Sequence, residues 1–439
     1  MSDQAPETEK VSFWQIVSDP PVRVVVLIVF VIMLGFGMIA PILPLYARSF
    51  GVSYDAASLL ISAFAFMRLV ADPVVGPLVD RYGERLCSMT GVVIVGVSAV
   101  LAGLATSFPL VVVFRGAGGA GSALVFAALY SYLLKVVPSR RMGRTMSIFF
   151  GALNVGIIAG GPLGGVVAHA WGLASPLFVY AGLCFVSGLL YLRFMPDPNV
   201  AAGVSPGPSI AAGTAAGPVA PPDDPKTPFW RRTSSHVAAL MKQRAFVTVV
   251  FLNMAFFWVV AGGYDTLVPL FARESLGVSP VGVGALFGII VAGEFLVLYP
   301  AGSLADRIGR KPVLLVSLTG VAVMMAVVGL ASSPVILGLL LLIAGLTSGA
   351  TASTPSAMLS DVVPETGSGT AVGVFRFFGD LGFVLGPLVA GVSTSAFGFR
   401  WAFTIMALPV LVALALVIWT PETLRSKRLE RERAAAALD

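Results

Sequence analysis

The sequence predicts an all-α integral membrane protein whose twelve transmembrane helices form two pseudo-symmetric six-helix bundles. Composition gives the first reason. Hydrophobic residues make up 57% of the 439 and charged residues 11%, with a mean hydropathy of +0.93, whereas ordinary soluble domains carry about 25% charge. Second, the apolar residues fall into twelve stretches of the length a helix needs to cross a bilayer, about 20 residues each. Third, the string Gly76-Pro-Leu-Val-Asp80-Arg81-Tyr-Gly83 returns 226 residues later as Gly302-Ser-Leu-Ala-Asp306-Arg307-Ile-Gly309. Pro44-Leu-Tyr-Ala-Arg48 returns as Pro269-Leu-Phe-Ala-Arg273, and Val136-Val-Pro138 as Val362-Val-Pro364, at offsets of 225 and 226. The two halves therefore align almost without gaps, the mark of an internal duplication.

In order, the apolar stretches cover residues 22–47, 56–79, 86–107, 109–135, 144–169 and 173–195 in the first half, and 246–271, 281–304, 312–332, 335–360, 370–396 and 399–420 in the second. We number them spans one to twelve. An even count puts both termini on one side, and the basic residues say which. Of 28 Lys and Arg, three lie within spans (Arg68, Arg115, Arg376), three in the loops of one face (Arg48, Arg273, Arg400), and the other 22 on the opposite face or in the tails beside it. Both termini are expected to be cytoplasmic, in a multi-pass protein of the plasma (inner) membrane.

The chain divides into an N-terminal tail (1–21), a first bundle (22–195), a linker (196–244), a second bundle (245–420) and a C-terminal tail (421–439). The linker from 196 to 228 is rich in Pro, Gly, Ala and Ser and reads as a flexible tether. After it, Phe229 to Lys242 mixes apolar residues with Arg231, Arg232 and Lys242. It reads either as an interfacial helix on an anionic leaflet or as an extension of span seven. The first twenty residues are polar and no cleavable signal precedes span one. A pI near 9.5 comes from scattered loop residues without an accompanying aromatic patch, so nucleic acid is not an expected partner. Cys87 and Cys184 fall at the cytoplasmic end of span three, where it begins, and inside span six, which supports no disulfide.

The two Gly-x-Leu-x-Asp-Arg-x-Gly turns serve topology on physical grounds alone. Gly76, Gly83, Gly302 and Gly309 permit a tight turn and close helix approach, while Asp80, Arg81, Asp306 and Arg307 hold the turn at the membrane surface. Together with the duplication and the six-plus-six layout, they resemble the major facilitator superfamily over essentially the whole chain. The second copy, continuing with Arg310 and Lys311, is nearly ideal; in the first, Glu84 stands where that family usually has a basic residue. Gly35-Phe-Gly37, Pro41 and Pro44 in span one, and Arg115-Gly-Ala-Gly-Gly119-Ala-Gly121 in span four, look like the twelve-span drug:proton antiporters. That family carries Gly-x-x-x-Gly-Pro-x-x-Gly-Gly in span five. Here Gly156, Gly160, Gly161, Gly164 and Gly165 keep the glycine spacing, with Pro162 one place late. Small residues at this spacing serve backbone-to-backbone packing whether or not they mean antiport.

Ionisable residues deep in a bilayer are functional candidates by default, because each costs several kcal/mol unless paired or wetted. Seven qualify: Arg68, Asp72, Arg115, Asp265, Glu294, Arg376 and Asp380. Span two carries Arg68 and Asp72 four apart, and span eleven carries Arg376 and Asp380 four apart, so each pair shares a helix face. At about 1.5 Å per residue, Arg68 and Asp380 lie roughly 18 Å in from the cytoplasmic turns, and Asp72 and Arg376 roughly 11 Å in. The resemblance implies that span two packs against span eleven and span five against span eight. Arg68 should then face Asp380 and Asp72 face Arg376, as a four-charge lock between the halves when the cytoplasmic side is closed.

The repeat maps Arg68 onto Glu294 and Asn154 onto Asp380, so Glu294 should face Asn154. A carboxylate opposite a neutral amide has no fixed countercharge, which makes Glu294 the first candidate for proton coupling. Asp265, in the outer part of span seven, is the second unless it merely sits at the solvent boundary. Arg115 either satisfies backbone carbonyls near its glycines or takes the proton-relay role that the resemblance implies. Span one carries no acidic residue between Val24 and Ala47, unlike many antiporters of this type. His169 ends span five and His236 lies in the linker, so neither is a strong proton-site candidate. Phe36, Met38, Phe126, Tyr130, Phe256 and Trp258 are candidates to line an apolar cavity.

These observations point to a secondary transporter in which two bundles rock about a central site. Its expected activity is proton-coupled efflux of hydrophobic or cationic small molecules. A sugar or metabolite symporter or uniporter is the rival, and a non-transporting receptor or lipid-handling protein on the same fold a third reading. No phosphate-binding loop occurs, and neither a metal-ligand cluster nor a nucleophile–base spacing appears, so no enzyme, cofactor or metal is expected. The energy source is an ion gradient, most naturally protons. The partners are a small-molecule substrate and membrane lipids, and the chain is expected to act as a monomer.

Overall fold

A computed structural model describes residues 19–137, 139–195, 237–363 and 368–424. Residues 1–18 and 425–439 of the tails, most of the linker, His236, Arg231, Arg232 and the greater part of the Phe229–Lys242 segment lie outside the described residues. Those described are helical, with no strand among them. Ten helices are long and apolar enough to cross a membrane. Two of these, Tyr54–Leu104 and Ser368–Trp419, run to 51 and 52 residues and fold back on themselves at Gly83 and Gly398. Each is two spans, which restores the count to twelve.

The turns show why. Every positive-φ residue among those described is a glycine, and the six form three pairs spaced by 226: Gly51 and Gly277 (φ 75° and 65°), Gly83 and Gly309 (82° and 110°), Gly172 and Gly398 (93° and 78°). An L side chain resists that region while glycine enters it freely. The repeat has therefore kept glycine at the same three of the five reversals in each half, those where the backbone takes a positive φ. Proline in the first turn starts Pro20–Ile39, Phe108–Val136, Ser175–Phe194, Pro280–Ile308 and Pro334–Val362, where its missing N–H costs nothing. Ser279 and Ser333 add side-chain caps, accepting from the N–H of Gly282 and Ile336 at 3.3 Å.

Each bundle buries its own apolar core, around Ile28, Leu129 and Tyr180 in the first and Phe246, Leu341 and Phe403 in the second. Lipid is as apolar as leucine, so close packing rather than the hydrophobic effect holds such helices together. Gly156, Gly160 and Gly164 bring span five against the backbone of Phe30, Leu34 and Met38 in span one, leaving no room for a Cβ. Their repeat equivalents Gly382 and Gly386 do the same for span eleven against Met254 and Trp258 of span seven.

At the face carrying the chain ends, the two halves use one device with opposite polarity. Glu84, 2% exposed, accepts from the Ser131 hydroxyl at 2.7 Å and pairs with Lys135 at 2.5 Å. The residues 226 further on are Arg310 and Asp361, which pair at 3.3 Å. Arg310 also meets Asp306 at 2.5 Å, and Glu422 accepts the backbone N–H of Arg310 and Lys311 at 2.9 Å each. The departure at Glu84 from the family pattern is thus matched by Lys135 across the helix pair.

Replacing Lys135 by Met should leave Glu84 buried without a countercharge and lower unfolding stability by about 2–3 kcal/mol, below the full buried-pair loss because Lys135 is partly exposed. The exchanged pair Glu84→Lys with Lys135→Glu should recover most of that loss in thermal unfolding of the detergent-solubilised protein. Failure of the exchange to improve on either single variant would show that the site needs more than opposite signs.

Candidate functional site

The site lies between the bundles, and the contacts that define it grade from one face to the other. At the face opposite the chain ends, Arg48 and Glu274 pair at 2.9 Å, Tyr54 donates to the same carboxylate, and the Ser395 hydroxyl donates to Asp55 at 3.0 Å. Further in, the Ser62 hydroxyl donates to the carbonyl of Val384 at 2.8 Å. Spans five and eight meet there through Gly161, Gly165, Gly284 and Gly288, whose missing side chains let backbone approach backbone, with Pro162 lying against Gly288. Towards the chain-end face this closeness is lost. A Cβ on Gly151, Gly302 or Gly373 would have no neighbour within 4 Å, and Tyr299 is 84% exposed. The bundles are closed at one face and part towards the other.

Spans two and eleven run antiparallel with a steady register, so the expected charge pairs form. Arg68 binds Asp380 directly, and Arg376 stands 3.7 Å from Asp72 one turn nearer the open face. The lock was expected with the chain-end side closed. Here both pairs stand with that side open, because they sit at mid-depth, where the closed half of the interface ends.

Glu294 does not face Asn154. The Asn154 amide donates back to the carbonyl of Phe150 at 2.8 Å, and Glu294 turns into its own bundle, within hydrogen-bonding reach of Ser348 and close to Tyr264 and Asp265. Helix rotation is the cause. Gly284 fixes the face of span eight that meets span five, and ten residues at about 100° each leave Glu294 roughly 80° off that face. Gly345 and Gly349 of span ten then let its backbone close on Glu294.

Asp265 is 6% exposed, well inside the protein rather than at a solvent boundary. It belongs to a π-helical stretch, Val259–Leu267, where the Thr266 hydroxyl reaches back five residues to the carbonyl of Ala261 at 2.7 Å. Such widened turns recur at functional sites, and Gly262 lies against the backbone of Gly386 within this one. Arg115 is 1% exposed, with its guanidinium 4.5 Å from the Phe64 ring centre. Its Nε and Nη1 have no hydrogen-bond partner, so those atoms do not go to backbone carbonyls.

Arg115 and Asp265 line one narrow cleft with Phe36, Phe64, Ile61 and Phe383. Of the six apolar candidates, only Phe36 lies on it. Met38 is covered by Gly160 and Gly164, Trp258 by Gly382 and Gly386, Phe126 packs on the first core, Tyr130 is 37% exposed, and Phe256 meets Phe257 edge-on. Sequence reasoning missed Phe64 and Phe383, although Phe64 lies one turn from Arg68 and Phe383 three residues from Asp380, on the faces already marked by charge. It also missed Tyr264 and Ser348, which no spacing singles out.

A profile described as Major Facilitator Superfamily matches residues 25–293 and 248–438. Multidrug resistance protein 2 of Bacillus subtilis (strain 168) is 23% identical over 417 residues, spanning 94% of this chain and 96% of the relative. The solved structure of the nucleoside transporter NupG superposes with a TM-score of 0.71 at 13% identity, covering 90% of this chain and 98% of that one. A bacterial homolog of the human lysosomal transporter Spinster, in an inward-facing and unoccupied conformation, also gives 0.71, at 16% identity and covering 93% and 96%.

Replacing Gly284 by Leu should wedge the closed face apart, since Gly161 backbone occupies the space a side chain needs. Spin labels at Ser49→Cys and Ser275→Cys, one on each bundle at that face, should then report a distance longer by several ångströms than in the parent. An unchanged distance would mean that the glycine contact does not hold the face shut.

Proposed function

Given that the chain belongs to the major facilitator superfamily and is a multi-pass membrane transporter rather than an enzyme, we propose that it exports hydrophobic or cationic small molecules in exchange for protons. The observation that carries this reading is the inter-bundle cleft itself. The bundles are shut at one face and part towards the other, and close to Asp265 on the cleft wall lies Glu294, a carboxylate within reach of the Ser348 hydroxyl and paired with no basic side chain among the described residues. A full-length relative named for multidrug resistance supports the substrate class. The excess of Lys and Arg on the chain-end face supports cytoplasmic termini in a plasma membrane, so the open face is the cytoplasmic one.

In this reading the protein rocks between an inward-open state, with Arg48–Glu274 and the Gly161–Gly284 contact closed, and an outward-open state in which they part. Glu294 alternates between a neutral and a charged form. Neutral, it is tolerated in the apolar bundle; charged, it draws water or a cationic group. Uptake of a proton on one side and release on the other therefore biases which state is stable. No bound cofactor is required, and the chain acts as a monomer.

Purified protein in liposomes with an imposed pH gradient tests this, using a lipophilic cationic dye as probe. The parent should drive dye against its gradient, and Glu294→Gln should cut gradient-driven transport by about tenfold or more while dye-for-dye exchange stays near normal. Gradient-driven transport at the parental rate in Glu294→Gln would overturn the assignment of the proton to this residue. Dye flux indifferent to the pH gradient in the parent would overturn antiport itself.

A further inference from the structure

Four of the seven intramembrane charges neutralise one another, Arg68 with Asp380 and Asp72 with Arg376. Glu294 has hydroxyl neighbours. Two remain, and they are of opposite sign on opposite walls of one cleft: Arg115 from the first bundle and Asp265 from the second. Both are more than nine-tenths buried. Two of the guanidinium nitrogens lack any hydrogen-bond partner, and Asp265 makes no hydrogen bond or ion pair among the described residues. Arginine does not give up its proton in proteins, so Arg115 is a fixed cation, set against the Phe64 ring, whose Nε and Nη1 remain open to an incoming anionic group. Glu294, although not on the cleft wall, lies close enough to Asp265 to interact with it electrostatically, and when charged adds to the negative potential there. Between the two charges the walls are aromatic, with Phe36 and Phe64 on one bundle and Phe383 on the other.

We propose that Arg115 and Asp265 form a split binding site for zwitterionic amphiphiles. The anionic group of the cargo pairs with Arg115, its ammonium pairs with Asp265, and its aromatic body lies against Phe36, Phe64 and Phe383. The inference rests on the export reading above and narrows its substrate class. In the conformation described the cleft has a free volume of about 20 Å³, room for one water, so the cargo enters as the aromatic walls separate. Because each bundle contributes one of the two charges, a molecule carrying both complements is held by both bundles at once. A molecule with one charge leaves the other buried and uncompensated.

The test uses three probes on one scaffold: an aminoalkyl naphthoic acid, its methyl ester (cation only) and its N-acetyl derivative (anion only). Binding to the full-length protein in nanodiscs should favour the zwitterion by about tenfold over either derivative, the size of one charge-assisted contact. Arg115→Gln should abolish the preference over the ester, Asp265→Asn the preference over the N-acetyl compound, and Arg115→Lys should keep part of the first. A monodisperse variant that unfolds at the parental temperature counts as folded. Equal affinity of ester and zwitterion in the parent overturns the inference while leaving dye-for-proton exchange, and with it the export reading, intact. A parent that moves no probe and no dye overturns both. Loss of proton coupling in Asp265→Asn with the charge preference unchanged would make Asp265 a proton site and overturn its role as cargo ligand.

Discussion

A charge inside the hydrocarbon of a bilayer has to be neutralised by something, and much of this protein is arranged around that demand. The penalty of several kcal/mol per unpaired ion exceeds what most single packing contacts contribute, so ionisable residues dictate which helix faces meet. Arg68 and Asp380 fix the register of spans two and eleven, and the hydroxyl contacts Ser62–Val384 and Ser395–Asp55 nearer the closed face follow the same antiparallel spacing. Where no charge is involved, glycine does the corresponding work. Spans five and eight come together through Gly161 and Gly284, at separations only bare backbone can reach. One interface is held by charge and the other by the absence of side chains, and the two lie side by side across the same pair of bundles.

The duplication shows which of these requirements are strict. Glycine recurs at each of the three reversals per half that take a positive φ, because no other residue enters that backbone region cheaply. Charge is treated differently: Glu84 and Lys135 occupy the positions of Arg310 and Asp361 with signs exchanged. A buried ion pair needs opposite signs at fixed places but not a particular polarity. The loops at the closed face show the symmetry breaking for a different reason. Arg48 and Arg273 each donate to a carbonyl of their own loop, Val52 and Val278, but only Arg48 also crosses to the other bundle, where Glu274 waits.

What was legible in the sequence was whatever depends on spacing along one helix or on offset between halves. The twelve spans, the reversing turns and the span-five glycines follow from counting residues, as do both cross-bundle ion pairs once the resemblance sets span two against span eleven. The misplacement of Glu294 opposite Asn154 has the opposite origin. The offset carried depth correctly but not rotation, and a residue roughly 80° off the contact face points into its own bundle. The cavity aromatics failed similarly, since at the level of composition Phe36 is no different from Phe126 or Phe256, and only the tilt of each helix decides which of them meets the cleft. Tyr264 and Ser348 were invisible because the π-helical stretch that presents Tyr264 shifts the face of span seven in a way no heptad or 3.6-residue count anticipates.

The division between paired and unpaired charges bears on how energy would enter the proposed cycle. A pair formed at the depth where the closed half of the interface ends moves little when two rigid bodies rock about that depth, so Arg68 and Asp380 contribute nearly the same stabilisation to both states. Such a pair holds the bundles in register and cannot by itself favour one state, because a ligand or contact shifts an equilibrium only through its difference between states. Groups without a fixed partner behave otherwise. Arg115, Asp265 and Glu294 are each costly when alone and cheap when a proton or a cargo group satisfies them, so their contribution changes with occupancy. In the proposed cycle two tasks that a single ionic network would confound are thus separated: the neutralised charges keep the two bundles aligned, and the uncompensated ones are left for proton and cargo to complete.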